Sequence, residues 1–152
     1  MNRRFVLVSL VLALTGSLPL EAQTGAFMDK FLEQERASYG DASYLVLLGA
    51  GRLKDGDSVE RALAVLGEQG WSVPGKAAAD PLTLGEFALL VMRSYEIPGG
   101  LMYRVAPGPR YATRELAYLQ VIQGKARPGS PVSGERAARI LGRVLDTKEA
   151  QR

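Results

Sequence analysis

The sequence predicts an all-α protein, a small bundle of about six short helices built from tandem helix-turn-helix repeats. Along most of the chain, apolar residues recur at the i, i+3, i+4 and i+7 spacing of one helix face. Ser or Thr residues suited to capping a helix precede several of these stretches. No stretch shows the sustained apolar–polar alternation of a half-buried strand. With 152 residues, of which 47% are apolar, the chain has the size and composition of one globular domain.

The N-terminus has the order of a secretory signal peptide. A basic start at Asn2–Arg4 precedes a ten-residue apolar run, Phe5–Leu14, and the segment ends in a small residue at Ala22. Because a membrane-spanning helix needs about 20 apolar residues, this run is too short to be one. We expect cleavage after Ala22 and export to the periplasm or cell envelope of a bacterium, with no membrane span left afterwards. An uncleaved N-terminal anchor is the alternative.

We therefore assign residues 1–22 to a signal peptide, residues 23–146 to a single helical repeat domain and residues 147–152 to a polar tail.

The first three helices of the domain are predicted from their apolar residues and caps. Phe27–Leu32 belongs to a short amphipathic helix that ends near Ser38–Gly40. Asp41 is a suitable N-cap for a second helix, and a turn-rich connection follows that helix at Gly49. Ser58 can cap the third helix. The apolar stripe of that helix consists of Val59, Ala62, Leu63 and Leu66.

The fourth helix is the candidate for the centre of the core. Thr83 can cap it, and Glu86 stands at the reciprocal position of a capping box. Its apolar residues extend nearly all round, which is typical of a buried helix. A fifth helix is predicted over Ala112–Gln123 and a sixth after Ser133, while the short segment Leu101–Val105 is predicted to be extended.

The chain shows signs of internal repetition. With one gap, Tyr44–Gly67 aligns with Tyr118–Gly142, which places Ser58 over Ser133 and a Glu-Arg-Ala triplet at the same distance after each Ser. In the middle segment, Thr83 takes the place of Ser133. Repetition at this spacing predicts helical hairpins that bury one another's apolar faces. The alternative is that short helices rich in Leu and Ala align by chance.

The segment Pro81–Phe87 resembles the helix-opening motif of the S-layer homology domain, with Leu84 where the family has Arg. Pro131–Glu135 is a looser version, and Ile122–Gly124 resembles the Gly turn that closes the preceding helix. The resemblance covers Ala42–Asp146. It implies three tandem units and attachment of exported proteins to cell-wall polysaccharide, and it makes Thr83 and Glu86, the two motif residues that are kept, candidate ligand-binding residues.

The composition excludes several kinds of catalytic site. The chain has no His and no Cys. Disulfides, thiol nucleophiles, Cys/His zinc sites and Ser–His pairs are therefore impossible. Carboxylate pairs remain possible. Glu86, Glu115 and Glu135, however, each stand in the first turn of a predicted helix, where the helix dipole stabilises acidic residues by about 0.3–1 kcal/mol. We expect a protein that is not an enzyme and that holds no cofactor or metal.

The charge of the chain is uneven. Residues 23–100 carry seven basic and eleven acidic residues, whereas residues 101–152 carry ten basic and four acidic ones. Such a basic half can face an anionic polymer or surface, or it can consist of solvated helix faces. Nucleic acid is disfavoured, because an exported protein rarely meets it and aromatic residues are not interleaved with the Arg residues throughout this half.

One segment brings cations and aromatic rings close together in sequence. We predict it to be the ligand-binding surface, and its residues are Tyr103, Arg104, Arg110, Tyr111 and Arg114. The sequence thus predicts a non-catalytic interaction module of the cell envelope that binds peptidoglycan, another wall polymer or an envelope protein. The alternative is a structural subunit of a periplasmic or envelope assembly, which would contact its partner through apolar helix faces such as Phe27 and Phe31.

Overall fold

The computed structural model describes residues 20–150, with side chains from Gly25 onward. This part of the chain forms seven helices, α1 (Leu20–Leu32), α2 (Tyr39–Gly49), α3 (Val59–Glu68), α4 (Leu84–Ser94), α5 (Leu101–Val105), α6 (Pro109–Tyr118) and α7 (Gly134–Glu149). It contains two isolated β-bridges and no strand. The predicted all-α class is therefore confirmed. The predicted signal peptide, residues 1–22, lies almost wholly outside the described residues.

Four of the described helices begin with the same kind of side-chain cap, and one of them is α3, which Ser58 caps. The side chains of Ser38, Thr83 and Ser133 cap α2, α4 and α7 by accepting a hydrogen bond from the backbone amide three residues later. Each cap satisfies an amide that the first turn of the helix leaves unpaired. Ser38, Thr83 and Ser133 differ from Ser58 in the backbone hydrogen bonds of the residues just before them.

The residues that precede these caps form a closed ring of backbone hydrogen bonds. The amide of Ala37 donates to the carbonyl of Val132 (2.8 Å), Val132 donates to Leu82 (3.3 Å), and Leu82 donates back to Ala37 (2.9 Å). All three side chains are buried. Because each segment donates to one neighbour and accepts from the other, the three helix openings are arranged with approximate threefold symmetry.

Each of α2 and α4 pairs with a second helix to form a unit of two helices. The second helix is α3 in the first unit and α6 in the second unit. A Cβ on Gly40 would lie 2.7 Å from Val59 at the start of α3, and a Cβ on Gly85 would lie 2.8 Å from Pro109 at the start of α6. The second helix of each unit thus starts beside the first. Within the described residues no such helix follows α7. Instead, the end of α1 lies at the start of α7, where the amide of Gly134 donates to the carbonyl of Gln34 (2.9 Å).

The two complete units differ in the connection between their helices. Nine residues join α2 to α3, whereas fourteen residues join α4 to α6. The difference equals the length of α5, which has five residues. The longer connection, residues 95–108, contains α5, and we call it the insert.

The predicted central position of α4 is confirmed. Eight of its eleven residues are buried, because its apolar positions extend nearly all round the helix. It packs between α6 and α2. Its first turn lies next to the ring of backbone hydrogen bonds, and its last turn is followed directly by the insert. The most buried of the described helices therefore leads into the segment that carries Tyr103 and Arg104, two of the predicted ligand-binding residues.

Some predictions from local pattern are wrong in detail. The N-cap of α2 is Ser38 and not Asp41, whose own amide donates to the Ser38 side chain (3.2 Å). Thr83 and Ser133 each follow a residue of the ring, whereas Ser58, which the alignment placed over Ser133, does not. Ser58 caps α3, the second helix of its unit. Similar cap chemistry at both helices of a unit caused the wrong alignment.

Two further segments differ from their predicted conformation or length. Leu101–Val105 is helical, although it was predicted to be extended. Helix α6 ends at Tyr118, because Gln120 adopts a left-handed conformation (φ 60°) that stops a helix. At the C-terminus, α7 continues to Glu149, past the predicted domain boundary at residue 146.

Candidate functional site

Helix α5 is short and exposed. It follows Gly99 and Gly100, and it contributes no buried residue. Leu101, Met102 and Val105 are 69%, 55% and 73% exposed. A helix turns by about 100° per residue, so these three residues occupy one continuous face. We call them the apolar triad.

Tyr103 projects from the opposite side of α5 and holds the helix to the protein. Its ring lies so close to Gly99 that a Cβ there would collide with it. The ring is partly buried and packs against the hydrophobic core. Burial raises the pKa of the Tyr103 hydroxyl, and the positive charge of Arg93 opposes this rise. Tyr103 therefore positions α5 and carries no negative charge at neutral pH.

An open cleft of about 490 Å³ lies between α5 and the segment that leads into it. Its lining comprises Ile97, Pro98, Gly99, Tyr103, Arg104 and Pro107. Two of the predicted ligand-binding residues, Tyr103 and Arg104, thus line the same cleft. One supplies an aromatic ring, and the other supplies an exposed guanidinium that can bind a carboxylate or phosphate in a bidentate manner.

The other three residues of the predicted segment lie on α6. Arg110 and Arg114 are exposed and Tyr111 is half-buried. The two Arg residues are four positions apart and therefore share one face of the helix. Helix α5 packs against α6. Together with Arg104 of α5, we call these residues the basic face. Residues 97–114 contain no acidic residue, but the carboxylate of the next residue, Glu115, lies beside Gly100 at the start of α5.

Thr83 and Glu86 lie at the start of α4 and are bonded within the protein. The Glu86 carboxylate accepts hydrogen bonds from the Thr83 amide (2.8 Å), the Thr83 hydroxyl (2.9 Å) and the Lys76 ammonium (2.8 Å). Burial by itself would raise the pKa of Glu86, but the hydrogen bonds from Lys76 and Thr83 outweigh it and lower the pKa. These two residues complete a capping box, and they are not part of the cleft lining.

The apolar faces proposed for the alternative function are occupied. Phe31 is buried. Phe27 packs edge-on against Tyr44, with their ring centroids 5.0 Å apart. The expectation that Phe27 and Phe31 face a partner protein is therefore wrong, because α1 uses them to pack against the bundle.

A second cavity of about 260 Å³ lies at the C-terminal ends of α2, α4 and α7. Arg52 lines it, but its guanidinium is engaged. It donates to the Ser94 carbonyl (2.8 Å) and to Glu96 (2.7 Å) and lies over the Trp71 ring. This arrangement joins the ends of the first two units, and it leaves the Arg52 charge already paired.

Sequence reasoning found the cations and the rings of the α5–α6 surface but missed the apolar triad. The signal was present, because Leu101, Met102 and Val105 stand between Gly99–Gly100 and Pro107. A segment enclosed by Gly and Pro is typically a surface loop, where apolar residues remain exposed. Among residues 20–150, no cluster of three acidic residues could hold a metal ion. None of the helices there is both long and apolar enough to cross a bilayer.

No protein-family model matches the chain, and neither a curated protein nor a solved structure matches it significantly.

Proposed function

We propose that this protein is a non-catalytic interaction module of the bacterial cell envelope that binds an anionic wall polymer, peptidoglycan in the first instance, through the α5–α6 surface. The observation that carries this proposal is the basic face. Arg104 on α5 and Arg110 and Arg114 on α6 are exposed on two helices that pack together. Their three positive charges outnumber the one carboxylate beside α5, that of Glu115.

The chemistry of the surface fits such a ligand. Peptidoglycan presents peptide carboxylates beside sugar rings. Guanidinium groups bind carboxylates through paired, charge-assisted hydrogen bonds. The Tyr103 ring lines the same cleft as Arg104, so it can pack against the apolar face of a sugar.

The symmetry of the helix openings supports the resemblance to the S-layer homology domain, whose members have three tandem units and attach exported proteins to cell-wall polysaccharide. In this chain the motif position that is Arg in the family is Leu84, which is fully buried. Leu84 packs in the core and cannot present a charge. Any binding of an anionic polymer therefore depends on other cations, and the exposed Arg residues of the basic face are our candidates.

Sedimentation with purified sacculi tests this proposal. We expect the wild-type protein to sediment with sacculi, and we expect replacement of Arg104, Arg110 and Arg114 by Ala to weaken binding by roughly tenfold or more, because charge-assisted hydrogen bonds to the ligand are lost. The matched control replaces three exposed Arg residues elsewhere, which are Arg61, Arg127 and Arg139. Its net charge is the same, and the surface ion pairs it removes contribute little stability.

The two variants separate the proposal from a general effect of charge. If the wild-type protein does not bind sacculi, or if both variants lose binding equally, the proposed polymer site is wrong. A crosslinking experiment that recovers one stoichiometric protein partner and no glycan would instead support the structural-subunit alternative.

A further inference from the structure

We propose that the apolar triad inserts into the surface of an anionic lipid bilayer, so that the protein is held at a membrane through α5. The proposal goes beyond the polymer site, because it rests on Leu101, Met102 and Val105, which the binding of a wall polymer does not require.

The first observation is that α5 adds little to the core. The first unit joins its two helices with a connection five residues shorter, and α5 itself contributes no buried residue. Even so, three of its five residues are large and apolar, and each is more than half exposed. An exposed apolar group of this kind is typically an interaction site. Here it stands on a short helix that is held to the core through Tyr103.

The geometry of α5 suits shallow insertion. Tyr103 is on the side of α5 that faces the protein and packs against Gly99 and the core. The triad spans about 100° on the opposite side, as follows from the helical rotation per residue. Arg104 flanks this face. An Arg at the edge of an inserted apolar face can keep its guanidinium at the level of the lipid headgroups.

The positive charge around α5 indicates that the apolar triad meets a negatively charged surface. Arg104, Arg110 and Arg114 carry three positive charges, against the single negative charge of Glu115, whose carboxylate lies beside Gly100 at the start of α5. An anionic bilayer provides negative headgroups directly above an apolar interior. A protein partner is less well matched, since each side of a stable protein interface buries about 800 Å² and three side chains cannot supply that area.

Binding to lipid vesicles tests the inference. We expect the protein to bind vesicles made of equal parts phosphatidylglycerol and phosphatidylcholine, and to bind phosphatidylcholine vesicles much more weakly. Replacing Leu101, Met102 and Val105 by Ser should weaken binding to the anionic vesicles by roughly tenfold or more, because peripheral binding scales with the apolar area inserted. The control replaces Leu32 and Leu145 by Ser, two apolar residues elsewhere on the surface that are about 40% exposed. Thermal unfolding checks that both variants remain folded.

A label at the triad reports the contact directly. The chain has no Cys, so Met102→Cys creates a unique site for an environment-sensitive fluorophore, with Gln123→Cys as the exposed polar control. We expect a blue shift on adding anionic vesicles for the label at position 102 only. The proposal is overturned by an absence of binding to anionic vesicles, by equal binding of the triad variant, or by a label shift that requires an envelope protein and no lipid.

The sacculi assay separates this proposal from the proposed function. The triad variant should sediment with sacculi as the wild type does, while the variant lacking Arg104, Arg110 and Arg114 should lose both sacculi and anionic vesicles. If the wild-type protein binds anionic vesicles but not sacculi, the membrane contact is supported and the proposed polymer site is wrong.

Discussion

The Cα of Gly134, the first residue of α7, lies directly against the carbonyl oxygen of Phe31 near the end of α1. The amide of Gly134 donates to Gln34 in the segment just beyond α1 (2.9 Å). This contact joins the N-terminal and C-terminal helices of the described chain. It places α1 beside the start of α7, as α3 and α6 lie beside the starts of α2 and α4. Only a residue without a side chain fits at this point, because the neighbouring atoms belong to backbone that cannot move aside.

Substituting Gly134 tests how closely α1 and α7 pack. We expect Gly134→Ala to lower the free energy of unfolding by about 3 kcal/mol or more, since the added methyl group overlaps backbone atoms and overpacking of this kind forces helices apart. Chemical denaturation followed by circular dichroism measures the change.

The same helix contains a matched control. Gly142 also lies within α7, and nothing lies within 4 Å of the position its Cβ would take. Gly142→Ala should therefore raise stability by up to about 1 kcal/mol, the usual helix-propensity gain. Similar effects at both positions would show that α1 does not pack tightly on the start of α7.

A second close approach involves Gly49 and Tyr95. The Tyr95 hydroxyl lies where a Cβ on Gly49 would be, and it is buried with no hydrogen-bond partner among the described residues. Burial raises the pKa of Tyr95 to about 12. We expect Tyr95→Phe to stabilise the protein by about 1 kcal/mol, because it removes an unpaired buried hydroxyl.

A double-mutant cycle of Gly49 and Tyr95 tests whether these two residues are in contact. Gly49→Ala should destabilise the wild-type protein by about 1–3 kcal/mol through the clash. In the Tyr95→Phe background the nearest remaining ring atom is 3.7 Å away. There the same change should be neutral or stabilising, because Ala favours a helix over Gly. A penalty for Gly49→Ala that is equal in both backgrounds would contradict the proposed contact.

The Glu86 carboxylate should make stability depend on pH. Its pKa is lowered from the ordinary value of a Glu side chain in the folded protein, because the hydrogen bonds from Lys76 and Thr83 outweigh the effect of burial. A group with a lowered folded pKa stabilises the protein above its unfolded pKa, and this contribution is lost as the pH falls through the folded pKa. Glu86→Gln should therefore cost about 1–2 kcal/mol at pH 7, the value of a charge-assisted hydrogen bond.

The difference in unfolding free energy between the wild type and Glu86→Gln should shrink as the pH falls below 4.5, the ordinary pKa of a Glu side chain. Unfolding curves at several pH values measure it. Glu68→Gln is the control, because Glu68 forms an exposed ion pair with Arg61 and such pairs contribute little. A constant difference between pH 7 and pH 3 would mean that the Glu86 charge does not stabilise the fold.

Gln120 holds a left-handed backbone conformation just after α6 (φ 60°). Residues other than Gly adopt this conformation at an energetic cost. We expect Gln120→Gly to raise the melting temperature and to stabilise the protein by about 0.5–1 kcal/mol. Gln120→Ala keeps the strain and should not stabilise. A melting temperature that is unchanged or lowered in Gln120→Gly would show that the left-handed strain is not significant.

Much of the helical structure could be predicted from local sequence. Ser58, Thr83 and Ser133 were identified as caps, because capping involves a side chain and an amide only three residues apart. The central position of α4 followed from its apolar residues on all sides. Within the candidate site, Tyr103 and Arg104 could be placed at a common surface because they are adjacent in sequence. The start of α2 was misplaced because Ser38 and Asp41 are both suitable N-caps. The end of α6 was misplaced because nothing in the sequence marks Gln120 for a left-handed conformation.

The amino-acid sequence by itself therefore determined the helical class, most of the helix openings and the positive charge of the region from Arg104 to Arg114. The tertiary structure alone decided that Ala37, Leu82 and Val132 close a ring, and that α1 packs at the start of α7. It also left the apolar side of α5 uncovered. The physical reason is how far apart in the sequence the interacting residues are. Caps and helix faces depend on residues within one or two turns, whereas the ring and the exposure of α5 depend on which distant segments arrive to pair with an amide or to cover a side chain.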